Sequence, residues 1–539
     1  MSRRLSLGWH LALLALLAVC AFGIWMLPVL LAGYPYALPF FVPAAKEFAA
    51  SGVVGQVEPL VVLIFRALHP FIAWNDVTGW TAVSAAGMAL SLLPLWWSVR
   101  RLSGSAEAWL TVVIFSFLPM FWNEAITSPE YPFAFFFLFL GCALFLELFP
   151  RHRFLAALAF GLCFGAVFDS SHAFITFLPW MAAAFLWHER RRWKSAAVAL
   201  GIFAASLFVS VVLPFLPNAL RPSLTPLQRL EAFLPSPAAH GTGLGHLYPD
   251  DYTYLFLREP FEQQLLAKNG QESFLVRQQD MFAEAIFDVG NLSVLDKLVN
   301  GFWLFLNVLP QPFVQDFTGG AFLWLFILPG IVVLWQRRRF LLCSIAGLWL
   351  SMEVILRFVL HYARPHLLDV GWSLAFFAAV GIAAVSGALH ERWKRVPSAA
   401  FAVFLALLTA AQLVQANRVL LARNYARSAV PAAYAAARTL DALPRSAVVA
   451  HPRGDALFFF SNRADVTVAP ETLDLLVSEH KNIRDPFRYY KVTHILGYDA
   501  GTTKNILAAD PSIKAIALPE PEAPVPLTPL IRYLLNLVH

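Results

Sequence analysis

Eleven long apolar runs divide this chain, near residues 9–32, 79–99, 107–122, 132–149, 154–168, 173–188, 195–216, 318–335, 340–360, 367–388 and 397–416. Each is close to the ~20 residues a helix needs to cross the hydrocarbon of a bilayer, and a few fall short of it. Between the runs sit most of the charges. The chain is 59% hydrophobic and only 14% charged, where a soluble globular chain carries about 25% charge. A water-soluble fold has no place to hide that much apolar surface. Lipid is the solvent that suits it, and a polytopic helical bundle is the fold it implies. The four cysteines, Cys20, Cys142, Cys163 and Cys343, all lie in apolar stretches and read as small hydrophobes, with neither metal-ligand spacing nor a disulfide framework. The run from Trp9 to Gly33 is too long for a signal-peptide core, so it reads as a first transmembrane helix.

The net charge of +6 is distributed in short clusters. On a soluble domain such a surplus would raise the question of nucleic acid; here it follows topology, and no nucleic-acid partner is expected. The clusters are Arg3-Arg4, Arg100-Arg101, Arg151-His-Arg153, Arg190 to Lys194, Arg337 to Arg339 and Arg392 to Arg395. Every one falls in an alternate connection. With eleven crossings and the N-terminus in the cytoplasm, all six lie inside, as the positive-inside rule requires. The remaining connections then face outward, including a first loop at 33–78 and a large one at 217–317, and they make the exterior the working face. Pro59 to Trp74 in the first loop is apolar but carries Arg66 and His69, and reads as a helix lying on the interface.

From residue 417 the texture changes. Short β-prone runs at Ala447–Ala450, Asp465–Val468, Val492–Leu496 and Ile513–Ile516 alternate with helical stretches such as Thr472–His480. That alternation predicts a small α/β unit on the outer side. The expected organisation is a membrane domain over 1–416, with both outer loops, and a C-terminal soluble domain over 417–539. Phosphate-binding glycine loops are absent.

Four stretches in fixed order carry a family resemblance. They are Ala44-Ala-Lys-Glu-Phe-Ala-Ala-Ser-Gly52 with Glu58-Pro59-Leu60; Ile126-Thr-Ser-Pro-Glu130-Tyr-Pro-Phe; Gly161-Leu-Cys-Phe-Gly165; and the run from Tyr362-Ala-Arg364-Pro-His366 to Gly381. This order resembles that of the GT-C superfamily of membrane glycosyltransferases, which includes protein mannosyltransferases and lipid A aminoarabinose transferases. The resemblance implies transfer of a sugar from a polyprenyl-phosphate donor to a lipid, glycan or protein acceptor at the outer face of the membrane, and the Ala- and Arg-rich composition with short inner loops suggests a bacterial inner (plasma) membrane. It leaves a divalent metal open as a cofactor. One departure stands out. Such enzymes usually carry an Asp about eight residues before the Ala44-Ala45 pair, where this chain has Tyr36 and Ala37.

Sugar transfer needs a carboxylate to take the acceptor proton and positive charge to receive the leaving phosphate. The candidate carboxylates are Glu58, Glu130 and Glu47, with Glu124 and Asp169 also weighed. Glu130 opens a span between Pro129 and Pro132, where a helix N-terminus also favours an anion. Asp169 and His172 flank Ser170-Ser171 at a tight outer turn, where helix capping is the alternative. For the phosphate, Arg364 between His361 and His366 is the candidate cation. Arg357, four residues after Glu353, reads as an intrahelical ion pair. No metal-ligating spacing of histidines or acids occurs. The large outer loop holds His240, His246, Asp250, Asp251, Tyr248, Tyr252 and Tyr254, aromatics beside acids that suit a sugar.

Two other classes compete. A catalytically silent relative, a binding or assembly protein of the cell envelope, is favoured by the absent first-loop aspartate. A transporter is disfavoured by the lack of an inverted repeat between the halves.

Overall fold

The computed structural model describes residues 7–36, 58–127, 130–219, 293–308, 315–359, 367–426, 440–452 and 463–516, together with scattered positions in 42–54, 252–264 and 310–313. It is a bundle of apolar helices with a small parallel sheet near the C-terminus. Among the described residues eight helices are long and apolar enough to cross a membrane, and a bent pair, Ser105–Phe117 with Pro119–Thr127, is together long and apolar enough for a ninth. Two shorter apolar helices, Ala173–His188 and Ala321–Arg337, occupy the places of the two remaining expected crossings. Helix Pro59–Leu68, too short to span, packs against helix Arg153–Ser170. The chain is a multi-pass membrane protein.

Local chemistry explains the breaks. Pro119 excludes the helical conformation at the residue before it, and Leu118 is extended (φ −62°, ψ 127°). The pair therefore bends by 59°. Phe115 and Phe121 stack across the bend with centroids 4.0 Å apart, and Phe135 and Phe139 pack on them. The bend turns Asn123 and Glu124 out of the line of the span. A second irregularity ends helix Arg339–Val354, which runs into a π-helical turn at Ile355–Val359. Such turns widen the backbone and recur at functional sites.

The glycine-spaced stretch Gly161–Gly165 does what close helix packing needs. A Cβ at either position would overlap the serines Ser206 and Ser210 of helix Trp193–Val212. Ser210 Oγ donates to Leu162 O at 2.9 Å across that contact.

All four expected strands form: Val448–His451 (β1), Ala464–Thr467 (β2), His494–Ile495 (β3) and Lys514–Ala515 (β4). Their order is β2-β1-β3-β4, and every pairing is parallel. Ala450, Val466, Leu475, Tyr490, Ile495 and Ile506 form the core of this unit. The described residues near 252–264, from the long 217–317 connection, belong to the same core. Tyr252 and Leu257 are buried in it, the Thr253 hydroxyl bonds that of Thr472, and Gln264 Nε2 donates to Ser478 Oγ at 2.8 Å.

Candidate active site

Four carboxylates converge on the start of helix Glu130–Leu148. Glu130 is the first residue of that helix, where the exposed N–H groups and the helix dipole favour an anion. Its charge bears on Glu58, on Glu124 and on Asp369. Each of these comes from a different element. Glu58 precedes Pro59 at the head of helix Pro59–Leu68. Glu124 follows the Pro119 bend. Asp369, with no exposed surface, lies in the first turn of helix Leu367–Arg392.

Among the described acids Glu58 is also the one held in a left-handed backbone conformation, at φ 39° and ψ 64°. A side chain with a Cβ adopts this region at a cost of about 1–3 kcal/mol, and such residues cluster at functional sites. Proline at position 59 narrows the alternatives, because it disfavours the right-handed helical region at residue 58. Burial holds the Glu58 carboxyl well above the usual carboxylate range, and the charge of Glu130 adds to the effect.

Beside these acids lies an arginine–glutamate pair. Arg357, fully buried on the π-helical turn, has Nε 3.2 Å from Glu353 Oε2. Glu353 in turn bears on Asp369. Trp349 Nε1 donates to Ser373 Oγ at 2.9 Å, tying helix Arg339–Val354 to helix Leu367–Arg392 one turn from that aspartate. The ion pair expected from the spacing of Glu353 and Arg357 is present, and it adjoins the acid cluster.

A neutral network borders Glu124. The Tyr36 hydroxyl bonds Asn123 Oδ1, Asn123 Nδ2 donates to Glu124 Oε1 at 3.2 Å, and Asn424 Nδ2 donates to Asn123 Oδ1 at 3.3 Å. The Tyr425 ring packs edge-on to Tyr34 and Tyr36, and its hydroxyl donates to Tyr34 O at 3.1 Å. Burial and then the charge of Glu124 push the Tyr36 phenol up, so it remains a donor. Tyr36 is thus coupled through Asn123 to a glutamate from another helix.

Of the residues singled out from sequence, Glu58 and Glu130 are brought together. Glu47, His361, Arg364 and His366 lie outside the described residues, as do His240, His246, Tyr248, Asp250, Asp251 and Tyr254. Asp169 is 1% exposed, and its Oδ1 makes no hydrogen bond among the described residues. The capping alternative for that turn is not what forms: Asp169 and Ser170 end their helix, Ser170 Oγ bonds back to Ala166 O, and Ser171 makes no capping bond to the His172–Phe177 turn. Tyr252 also differs from expectation: its ring packs on Tyr489 and Tyr490, so it serves the core of the C-terminal unit. Asp369 was not singled out. The available signal was an acid at the edge of an apolar run, costly at membrane depth.

Among the described residues no three of His, Cys, Asp and Glu gather closely enough to hold an ion.

No protein-family model matches the chain, and no curated protein matches it. Solved structures do. The oligosaccharyltransferase of Archaeoglobus fulgidus, in complex with Zn and sulfate, is similar at 14% identity and a TM-score of 0.48, over 85% of this chain and 62% of that one. This chain therefore spans less than two thirds of that enzyme's length. AglB from the same organism, in complex with an inhibitory peptide and a dolichol-phosphate, is similar at 14% identity and a TM-score of 0.46, over 90% and 69% of the two chains. ArnT from Cupriavidus metallidurans, bound to undecaprenyl phosphate, is similar at 13% identity and a TM-score of 0.38, over 88% and 89%.

Proposed function

We propose that the chain is a membrane glycosyltransferase that moves a sugar from a polyprenyl-phosphate donor to a hydroxyl- or amide-bearing lipid, glycan or protein acceptor at the outer face of the membrane. The observation that carries this reading is the convergence of Glu58, Glu124 and Asp369 on Glu130 from four separate elements. Bringing four acids together out of water is costly, and like charges crowded there cannot all ionise. Carboxyls set in differing environments are what acid–base chemistry uses to divide the acid and base roles.

In this mechanism an ionised member of the set accepts the acceptor proton as the acceptor atom attacks the anomeric carbon. The bond from that carbon to the phosphate oxygen breaks, and the lipid phosphate leaves with the electron pair. Two cations are candidates to receive it: Arg364 near the outer end of the ninth span, and Arg357 on the π-helical turn. Glu124 is the acid best placed to stand in for the absent first-loop aspartate, since Tyr36 reaches it through Asn123.

The test is transfer from a radiolabelled polyprenyl-phosphate sugar by purified protein in nanodiscs, comparing the wild type with Glu58→Gln, Glu124→Gln, Glu130→Gln and Asp369→Asn. Loss of turnover in folded variants supports the reading. A second reading, a silent scaffold of the cell envelope, is favoured by Tyr36 standing where an acid is usual; it gains if none of the four substitutions changes transfer.

A further inference from the structure

Two inter-helix turns at one end of the bundle form a cationic surface that the acid cluster does not use. The first joins helix Leu178–His188 to helix Trp193–Val212 and carries Arg190, Arg191, Arg192 and Lys194, all exposed. The second joins helix Trp324–Arg337 to helix Arg339–Val354 and adds Arg337, Arg338 and Arg339, also exposed. The two turns are neighbours. The rings of His188 and Phe340 lie 5.1 Å apart, and Trp180 Nε1 donates to Ser344 O at 2.8 Å one turn further along.

Seven cations are therefore gathered with one carboxylate among them, Glu189, and it is taken: Arg153 Nη1 holds it at 2.8 Å. None of the seven pairs with an acid among the described residues. Three instead lie over indole rings. Arg190 sits 5.0 Å from the Trp187 ring, Lys194 5.9 Å from Trp193, and Arg339 5.3 Å from Trp335. All three tryptophans are more than half exposed. Tryptophans in this state mark the headgroup level of a bilayer. Exposed apolar side chains, Leu186, Val198 and Val332, continue from the same turns toward the middle of their helices.

We propose that these two turns bind the phosphate headgroup of an anionic phospholipid, with its acyl chains against the Leu186, Val198 and Val332 wall. Positive-inside topology alone asks for charge somewhere in each turn. It does not ask for two turns to be docked together, for their only acid to be neutralised by a third turn, or for cationic groups to sit over exposed indoles. Guanidinium groups so ordered lose little freedom on binding a phosphate, and their forked donors fit its oxygens. The indoles place the site at the bilayer surface, which favours a lipid over a free anion.

The experiment is native mass spectrometry of the full chain released from nanodiscs containing equal phosphatidylglycerol and phosphatidylcholine, with inorganic phosphate as competitor. The wild type is expected to retain phosphatidylglycerol selectively and to keep it in phosphate. Arg190→Gln/Arg192→Gln/Arg338→Gln should lose that selectivity by about fivefold per charge removed. Trp187→Ala/Trp193→Ala/Trp335→Ala preserves every charge, and with it the topology signal, and should weaken retention as well. Equal retention of both lipids by the wild type, or unchanged selectivity in the tryptophan variant, overturns the proposal; displacement by inorganic phosphate overturns it in favour of a free-anion site.

Discussion

Glu58 and Glu130 act on each other across two helix starts: burial, and after it the charge of Glu130, holds the Glu58 carboxyl well above the usual carboxylate range. The consequence for stability has a definite sign. A carboxyl whose pKa is raised by folding is most comfortable when protonated, so its contribution is full below the ordinary carboxylate value. That contribution is lost as pH rises from there through the raised value. Thermal unfolding of the wild type in nanodiscs should therefore shift to lower temperature as pH rises above about 4.5, the ordinary value for Glu. Glu58→Gln removes the titrating group and should flatten this part of the profile. A profile equally steep in the variant would assign the dependence to other acids.

The same carboxyl is held in left-handed backbone, which glycine adopts without the Cβ penalty. Glu58→Gly should raise the unfolding temperature by the equivalent of about 1 kcal/mol, the lower end of the strain relieved, while abolishing transfer. A variant that is less stable than wild type would show that contacts of the Glu58 side chain outweigh the strain.

Within the acid set, Glu130 is the residue whose charge reaches the other three. Removing a general acid or base costs about 10²–10⁴ in rate. Glu130→Gln should lower kcat by that order with KM little changed, and Glu124→Gln/Glu130→Gln should lose little more than the worse single variant, since groups acting as one unit are not additive. Full additivity in kcat would separate the two glutamates into independent roles.

The membrane body was legible because hydrocarbon imposes so simple a code: apolar runs for crossings and basic clusters for one side. The four short strands were legible for a related reason, a run of β-branched and apolar residues between turn formers. The site was only half legible. Glu58 and Glu130 stand next to prolines at element starts, a local feature that sequence displays. Asp369 meets them through the tertiary packing of a helix more than 200 residues later in the chain, a relation with no local trace. Tyr252 was misread for the same reason. Its neighbouring acids suggested an open sugar platform, while its actual partners, Tyr489 and Tyr490, lie in another part of the chain.

Helix Trp324–Arg337 reaches helix Leu367–Arg392 at a point where only glycine fits. A Cβ on Gly330 would overlap the Phe377 carbonyl oxygen, and a Cβ on Gly381 would overlap that of Phe326. Backbone atoms cannot yield as a flexible side chain would. Gly330→Ala or Gly381→Ala should therefore cost about 1–3 kcal/mol or more, the range for overpacking. Chemical denaturation in mild detergent would register the loss. Because this contact anchors the helix that begins near Asp369, Gly381→Ala should also reduce transfer, whereas Gly201→Ala, which meets open space, should change neither.

Tyr252 sits among Phe256, Tyr489 and Tyr490, with the Thr253 and Thr472 hydroxyls bonded beside it. The stretch around Tyr252 is thereby fastened to the C-terminal unit by an aromatic plug. Truncating a buried aromatic costs about 3–5 kcal/mol, more than a local docking contact of this size can spare. Tyr252→Ala should thus release the loop without unfolding the parallel sheet, whose remaining core of Val466, Leu475, Ile495 and Ile506 is contributed by residues after 440. Limited proteolysis distinguishes the outcomes. Cleavage within 217–317 should accelerate in the variant while the C-terminal fragment stays resistant. If both regions become sensitive together, the loop is an integral strut of the C-terminal fold, and if neither does, the aromatic cluster is not what holds the loop in place.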